Sequence, residues 1–323
     1  MEDLVSVIIP AYNSGEKIKK CICSILESTY TFIEIIVVDD GSSENDARIY
    51  DDLQKLSDKI KIIHQENTGV SGARNTGIDS SRGNFITFVD ADDTIDSDLI
   101  SILVENCKKN KSDISICGYK EFVDEKNYMR FTCENQKNLI GSEILECFLT
   151  SNFIGWSVWG KLYSRSVIGE TRFKIGRKTA EDMFFVYEVL KKSNKVSIDN
   201  RLLYNYIKQN DSAMADMNCE KFFDTFDLIN EVYLDRLSNP KIKKAQSEFY
   251  LSKMLWFFRF IIYKDKKNNY KKQIQNARSL FLRSIKIDKI KCNKKQAIEL
   301  FLFEYMYPVY KILVLGVKHG QSI

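Results

Sequence analysis

Over the first 117 positions, short continuous apolar runs alternate with polar, helix-patterned stretches. Leu4-Val-Ser-Val-Ile-Ile9, Ile33-Glu-Ile-Ile-Val-Val38, Ile60 to His64, Phe85 to Val89 and Asp113 to Cys117 each read as a buried strand. Between the first two, Ile18, Cys21, Ile22, Ile25 and Leu26 recur at three-and-four spacing behind Ser14 or Gly15, which predicts a helix. Further helices are predicted over residues 44 to 57, from Ser71, and over Asp96 to Lys108. Strands that are apolar throughout, alternating with helices, predict a mostly parallel sheet covered on both faces, an α/β fold.

The pattern changes after residue 118. Residues 119 to 140 are polar and aromatic without a clean period and predict short strands or loop. Trp156-Ser-Val-Trp-Gly-Lys-Leu-Tyr163 places Trp156 and Trp159 beside Lys161, a cluster that suits either core packing or the wall of a sugar pocket. Thr179 to Leu190 predicts an amphipathic helix with Glu181 and Asp182 in its first turn, where the macrodipole favours acids whatever their function. A strand-like Arg201 to Tyr206 and a polar Lys208-Gln-Asn-Asp-Ser212 follow. Beyond residue 217 the chain predicts helices at about 219 to 237, 243 to 263, 269 to 285 and 294 to 315, with Pro240 at a boundary.

Charge adds to this division. The net charge of the 323 residues is +4, yet residues 241 to 323 hold 19 Lys+Arg against 5 Asp+Glu, while residues 1 to 240 carry an excess of acid. A basic segment interleaved with Trp256, Phe257, Phe258, Phe260, Tyr263, Phe301, Phe303, Tyr305 and Tyr307 suits an anionic membrane surface. Solvated lysine-rich helices are the plainer reading. The acidic start and short first apolar run predict no secretory leader, and no uncharged run reaches the roughly 20 residues that span a bilayer. The 8 cysteines form no C-x-x-C pair and read as reduced thiols of a cytosolic protein.

The candidate chemistry lies at strand ends. Ile33 to Val38 runs into Asp39-Asp40, and Phe85 to Val89 into Asp90-Ala-Asp92-Asp93. In open α/β sheets ligands bind outside the carboxyl ends of the strands. Paired aspartates there can hold a hard divalent cation, although an acidic helix cap would look similar. No G-x-G-x-x-G follows the first strand and no G-x-x-x-x-G-K-[ST] occurs, so phosphates would be met by a cation and isolated basic residues.

Taken together, Val5 to Asn13, Ile36 to Ser42, Asn67 to Gly77, Gly83 to Asp93, Lys161 to Tyr163 and Glu181-Asp182 make the chain resemble family 2 glycosyltransferases, especially bacterial enzymes of capsular, exopolysaccharide or lipopolysaccharide synthesis. The resemblance covers residues 4 to about 212 and implies a GT-A fold. Residues 1–216 would form the catalytic domain, with a nucleotide-binding half at 1–117 and an acceptor half at 118–216. Residues 217–323 would be a helical, basic extension. It further implies transfer from a UDP-sugar to a saccharide acceptor with Mn2+ or Mg2+, and a single direct displacement would invert the anomeric centre; the basic aromatic tail, separately, suits a lipid-linked acceptor at the inner face of the bacterial cell membrane. By the same resemblance Pro10, Tyr12, Asn13 and Asp40 form the nucleobase pocket, with Tyr12 flanking the base and Asp40 accepting from a uracil N–H. Arg74 contacts phosphate or nucleotide, Asp90 the ribose, and Asp92 the metal and diphosphate. Asp182 is the base and Glu181 its helper. Lys208-Gln209-Asn210 stands where the family has an arginine-rich stretch, a departure from the family's diphosphate contacts at that loop. His64 and His319 fall away from the implied metal site, and His64 reads as structural. A nucleic-acid partner is not expected; a homo-oligomer is compatible. Two other readings are a degenerate partner subunit of a polysaccharide synthase and a sugar-nucleotide pyrophosphorylase. The latter lacks its glycine-rich, arginine-bearing loop at Pro10 to Gly15.

Overall fold

The structure is a computed structural model that describes residues 3–122, 127–151, 153–208, 219–235, 237–265, 267–288 and 290–316. Gln209 to Ser212, the 216/217 boundary and His319 lie outside the described residues. The chain forms two compact units, Met1–Arg177 with Glu181–Ser212, and Lys178–Ala180 with Ala213–Ile323.

In the first unit the elements run β1 (Val5–Ala11), α1 (Lys17–Leu26), β2 (Ile33–Asp39), α2 (Glu44–Gln54), β3 (Ile60–His64), α3 (Val70–Ser80), β4 (Phe85–Phe88), β5 (Thr94–Ile95), α4 (Leu99–Asn110), β6 (Ile114–Phe122), β7 (Tyr128–Phe131), β8 (Lys137–Ile140), α5 (Ser142–Thr150), β9 (Lys161–Ser164), α6 (Arg165–Ile168), α7 (Glu181–Lys192) and β10 (Lys195–Ile207). They build one sheet in the order β3-β2-β1-β4-β9-β6-β10-β5, with β7 on β6 and β8 on β10. The first four strands are parallel, as their mostly apolar runs predict, and β1 and β2 are buried along their whole length. From β9 on the sheet is mixed, because β9 is antiparallel to both neighbours. Four residues are too few to show a period, and the sequence reading passed over this strand.

Pro10 is part of β1. It lies buried inside the strand opposite Val38, and β4 pairs with β1 only as far as Ile8. Past that point one side of β1 is unpaired, so a residue without an N–H is tolerated. Helix α3 lies on β1 so tightly that a Cβ on Gly77 would stand 2.3 Å from an Ile8 methyl.

The second unit contains α8 (Cys219–Leu234), α9 (Pro240–Lys264), α10 (Lys271–Asp288), α11 (Lys294–Tyr305) and α12 (Tyr307–Gly316). Pro240 occupies the first turn of α9 behind an Asn239 cap, where its missing N–H costs nothing. The expected single helix over 294 to 315 is broken at Met306, just before Pro308. The aromatics expected at a membrane surface divide here: Phe257, Phe258 and Phe303 have no exposed surface, with rings of Phe222, Phe226 and Phe281 packed on them, whereas Phe301 and Tyr305 are exposed. Among the described residues no helix is long and apolar enough to cross a membrane.

Candidate active site

The carboxyl ends of β1, β2 and β4 lie side by side and deliver the first set of residues. Tyr12 is exposed just past β1. Asn13 takes the left-handed conformation, with φ 49°. Its N–H donates to Ser42 Oγ and its side-chain oxygen accepts from the Ser43 N–H, so it ties the β1 turn to the β2 turn. Asp40 is buried, and its Oδ1 accepts from Gln65 Nε2 (2.8 Å), the Thr68 N–H (2.9 Å) and the Thr68 hydroxyl (3.3 Å). Its Oδ2 accepts from the Gly69 N–H at 2.8 Å. Asp40 thus holds the Thr68-Gly69 approach to α3, with its negative charge close to the positive end of the helix dipole; a carboxylate oxygen with two lone pairs leaves Oδ2 one further acceptor position.

Arg74 belongs to α3. It lies in the second turn, with its side chain 4% exposed, over the ring of Phe173. Its guanidinium donates to Asp90 Oδ1 at 3.1 Å, makes a close hydrogen bond to Asp182 Oδ1, and stands 3.5 Å from Glu181. Three acids from the end of β4 and the start of α7, about a hundred residues apart in sequence, are gathered on one cation. Ala180, the residue that launches α7, has φ 60°, a costly conformation for a non-glycine residue.

Burial raises the Asp182 carboxyl to about 7; Arg74 pulls it down, while Glu181 and Asp90 push it up. Lys161 is buried rather than lining a surface: it donates to the Ser157 carbonyl at 2.6 Å, and desolvation lowers its ammonium to about 8. Trp159 packs, stacked 4.4 Å from Tyr204 and edge-on to Tyr119. Trp156 is half-buried nearby in the chain.

Beyond β4, Asp92 is half-buried, and desolvation followed by the charge of Asp90 lifts its carboxyl above the usual range. Asp93 is pushed up to about 8 by burial and then by Asp90. A divalent cation would relieve this like-charge crowding, and carboxylate oxygens are the donors such hard ions take. Among the described residues no three ligating side chains converge. A metal here would therefore draw few ligands from the protein, and Asp92 fits that part.

A supporting pair, Tyr204 and Ile207, carries no signal in the sequence. The Tyr204 hydroxyl, in β10, donates to Asp93 Oδ2 at 2.7 Å and accepts from the Asp90 N–H at 3.2 Å, while the Ile207 N–H reaches Asp93 Oδ1 at 2.8 Å. Those bonds fix the Asp90-to-Asp93 turn against a strand over 110 residues away, and nothing local to either residue signals them. His64 is structural, set between Asp39 (2.7 Å) and Asp51 (3.1 Å), which raise its pKa.

The sequence profile described as Glycosyl transferase family 2 matches residues 6–171, just over half the chain. The chain belongs to that family. Glycosyltransferase GlyA of Streptococcus pneumoniae is 34% identical over 214 residues, covering 64% of this chain and 31% of GlyA. EpsJ of Bacillus subtilis, an uncharacterized glycosyltransferase, is 35% identical over 223 residues, covering 67% of this chain and 64% of EpsJ. The chain thus spans less than two thirds of either relative. The solved structure of S. aureus TarS 1-349 in complex with UDP-GlcNAc superposes with a TM-score of 0.77 at 19% identity over 96% of this chain and 90% of that one. That likeness shows the GT-A fold for this family 2 chain.

Proposed function

We propose that the chain is an inverting, metal-dependent glycosyltransferase that moves a sugar from a UDP-sugar to a saccharide acceptor in bacterial surface-polysaccharide synthesis. The observation that carries this is the gathering of Asp90 and Asp182 on Arg74, beside the acidic turn that holds Asp92. Tyr12 flanks the base, Asn13 and Pro10 shape its seat, and Asp40 offers the remaining acceptor position of Oδ2 to a uracil N–H. Asp90 meets the ribose. Asp92 holds Mn2+ or Mg2+, which when bound neutralises the leaving diphosphate. The catalytic region is residues 1–216, with nucleotide recognition in 1–117. The TarS complex with UDP-GlcNAc supports a uridine donor.

Asp182, lifted toward neutrality by burial, suits a general base. The acceptor oxygen attacks the anomeric carbon, its proton passes to Asp182, and the bond to the diphosphate breaks with its electron pair leaving on UDP. Arg74 and Glu181 hold Asp182 in line. One displacement inverts the centre, so an α-linked donor gives a β-linked product.

The acceptor is lipid-linked and met at the inner membrane face. Supporting this, Ile298, Phe301, Tyr305, Val309, Ile312 and Leu313 on α11 and α12 are 39–69% exposed at helical spacing, in the basic part of the chain. The assay is UDP release from a panel of UDP-sugars in Mn2+, with and without EDTA. Turnover of one donor, lost in EDTA and in Asp92→Ala, is expected. Full activity in EDTA would remove the metal, and silence with every donor would favour a degenerate partner subunit.

A further inference from the structure

Lys161 and Tyr163 stand two residues apart on β9, and side chains at that spacing share one face of a strand. Both are buried, and both turn to the same short piece of chain. Lys161 Nζ donates to the Ser157 carbonyl at 2.6 Å, and the Tyr163 hydroxyl donates to the Val158 carbonyl at 3.2 Å. The turn they hold is bracketed by Gly155 and Gly160, at φ 64° and 67°, conformations that cost a glycine little. Between the two carbonyls lies the Val158 N–H, which faces the Asp182 carboxyl and stabilises its charged form. In a trans peptide the C=O and N–H point to opposite sides. An ammonium gripping the Ser157 oxygen therefore aims the N–H of the same peptide away from itself, and a charge at one end of a hydrogen-bond chain strengthens the bond at the other.

We propose that Lys161 and Tyr163 are positioning residues that aim the Ser157–Val158 peptide at Asp182. The proposal rests on the reading of Asp182 as the base. The charged and titratable groups around Asp182 are Arg74 from α3, Glu181 from its own helix, Asp90 from the end of β4, and Lys161 and Tyr163 from β9, with Cys117 of β6 next to Lys161. Arg74 holds the carboxylate from one side and the braced peptide contacts it as well. Lys161 thus acts without touching substrate.

Tyr163→Phe keeps the ring and deletes only the bond to Val158; Lys161→Met keeps the chain length and deletes the charge. Each is assayed for kcat, donor KM, UDP affinity by calorimetry and the pH dependence of kcat, beside Asp182→Asn. Expected are unchanged UDP affinity and KM, a kcat lower by about 10- to 100-fold for a misplaced catalytic group, and an acid limb moved to higher pH, because both changes disfavour the charged carboxylate. The double variant should lose little more than Lys161→Met alone, since both act on one stretch of chain. If Tyr163→Phe has normal kcat and an unmoved acid limb while Asp182→Asn is inactive, the brace is refuted and the base stands. If Asp182→Asn retains transfer, the base reading falls and the brace with it. Should Lys161→Met not fold, Tyr163→Phe decides.

Discussion

Arg74→Met removes the guanidinium that Asp90, Glu181 and Asp182 share. Taking one partner out of a buried ion pair costs about 3–5 kcal/mol because the other charge is left buried. Asp90 and Asp182 retain 28% and 22% exposure, so solvent screens part of that and about 2–3 kcal/mol is expected. In a unit of about 200 residues this lowers the melting temperature by roughly 4–12 °C. The pH dependence is the sharper test. Burial already holds the Asp182 carboxyl at about 7 with Arg74 beside it, and without the guanidinium it rises further. A carboxyl with a raised folded-state pKa destabilises the fold where it is ionised in the unfolded chain, and the penalty disappears as falling pH protonates both states. The stability gap between wild type and Arg74→Met, measured by urea unfolding, should be largest above about pH 8 and should narrow toward about pH 5. Adding Asp182→Asn should recover part of it. A gap that does not change with pH, or exact additivity of the two substitutions, would refute the claim that Arg74 exists to offset these acids.

Transfer by the wild type should rise with pH through about 7 as Asp182 loses its proton, read as the acid limb of the kcat profile. Tyr204→Phe removes two bonds to the Asp90-to-Asp93 turn, so a cost of about 1–3 kcal/mol and a raised donor KM are expected, while unchanged values would deny the turn its anchor. Gly77→Ala places a carbon 2.3 Å from Ile8 and should destabilise by about 1–3 kcal/mol in thermal melts. Replacing Phe301, Tyr305 and Ile312 with Ser should reduce co-sedimentation with anionic vesicles without changing UDP release from soluble substrates; equal sedimentation would count against a membrane face.

The parallel half of the sheet was legible in the sequence because β1, β2 and β4 are buried on both faces and so carry runs that need no partner to be recognised. Their carboxylate ends were legible for the same reason, as acids that interrupt an apolar run. Partners were not legible. Arg74 reads as a basic residue near a helix start, and only the fold brings Asp182 to it from 108 positions away. Lys161 reads as packing or pocket wall because its acceptor, like that of Tyr163, is a backbone carbonyl, which leaves no mark in the sequence. The C-terminal aromatics divide for a related reason: hydrophobicity signals burial or an interface alike, and α8 to α10 supply the partners that make Phe257, Phe258 and Phe303 core, leaving α11 and α12 with the exposed stripe.

The central claim is that Asp182 accepts the acceptor's proton within a nucleotide site that it does not itself build. Asp182→Asn tests this most directly, with UDP affinity and transfer rate at saturating substrates measured on the same preparation. Wild-type UDP affinity is expected, with transfer lower by about 10²- to 10⁴-fold. Transfer at the wild-type rate, or a parallel loss of UDP binding, would contradict it.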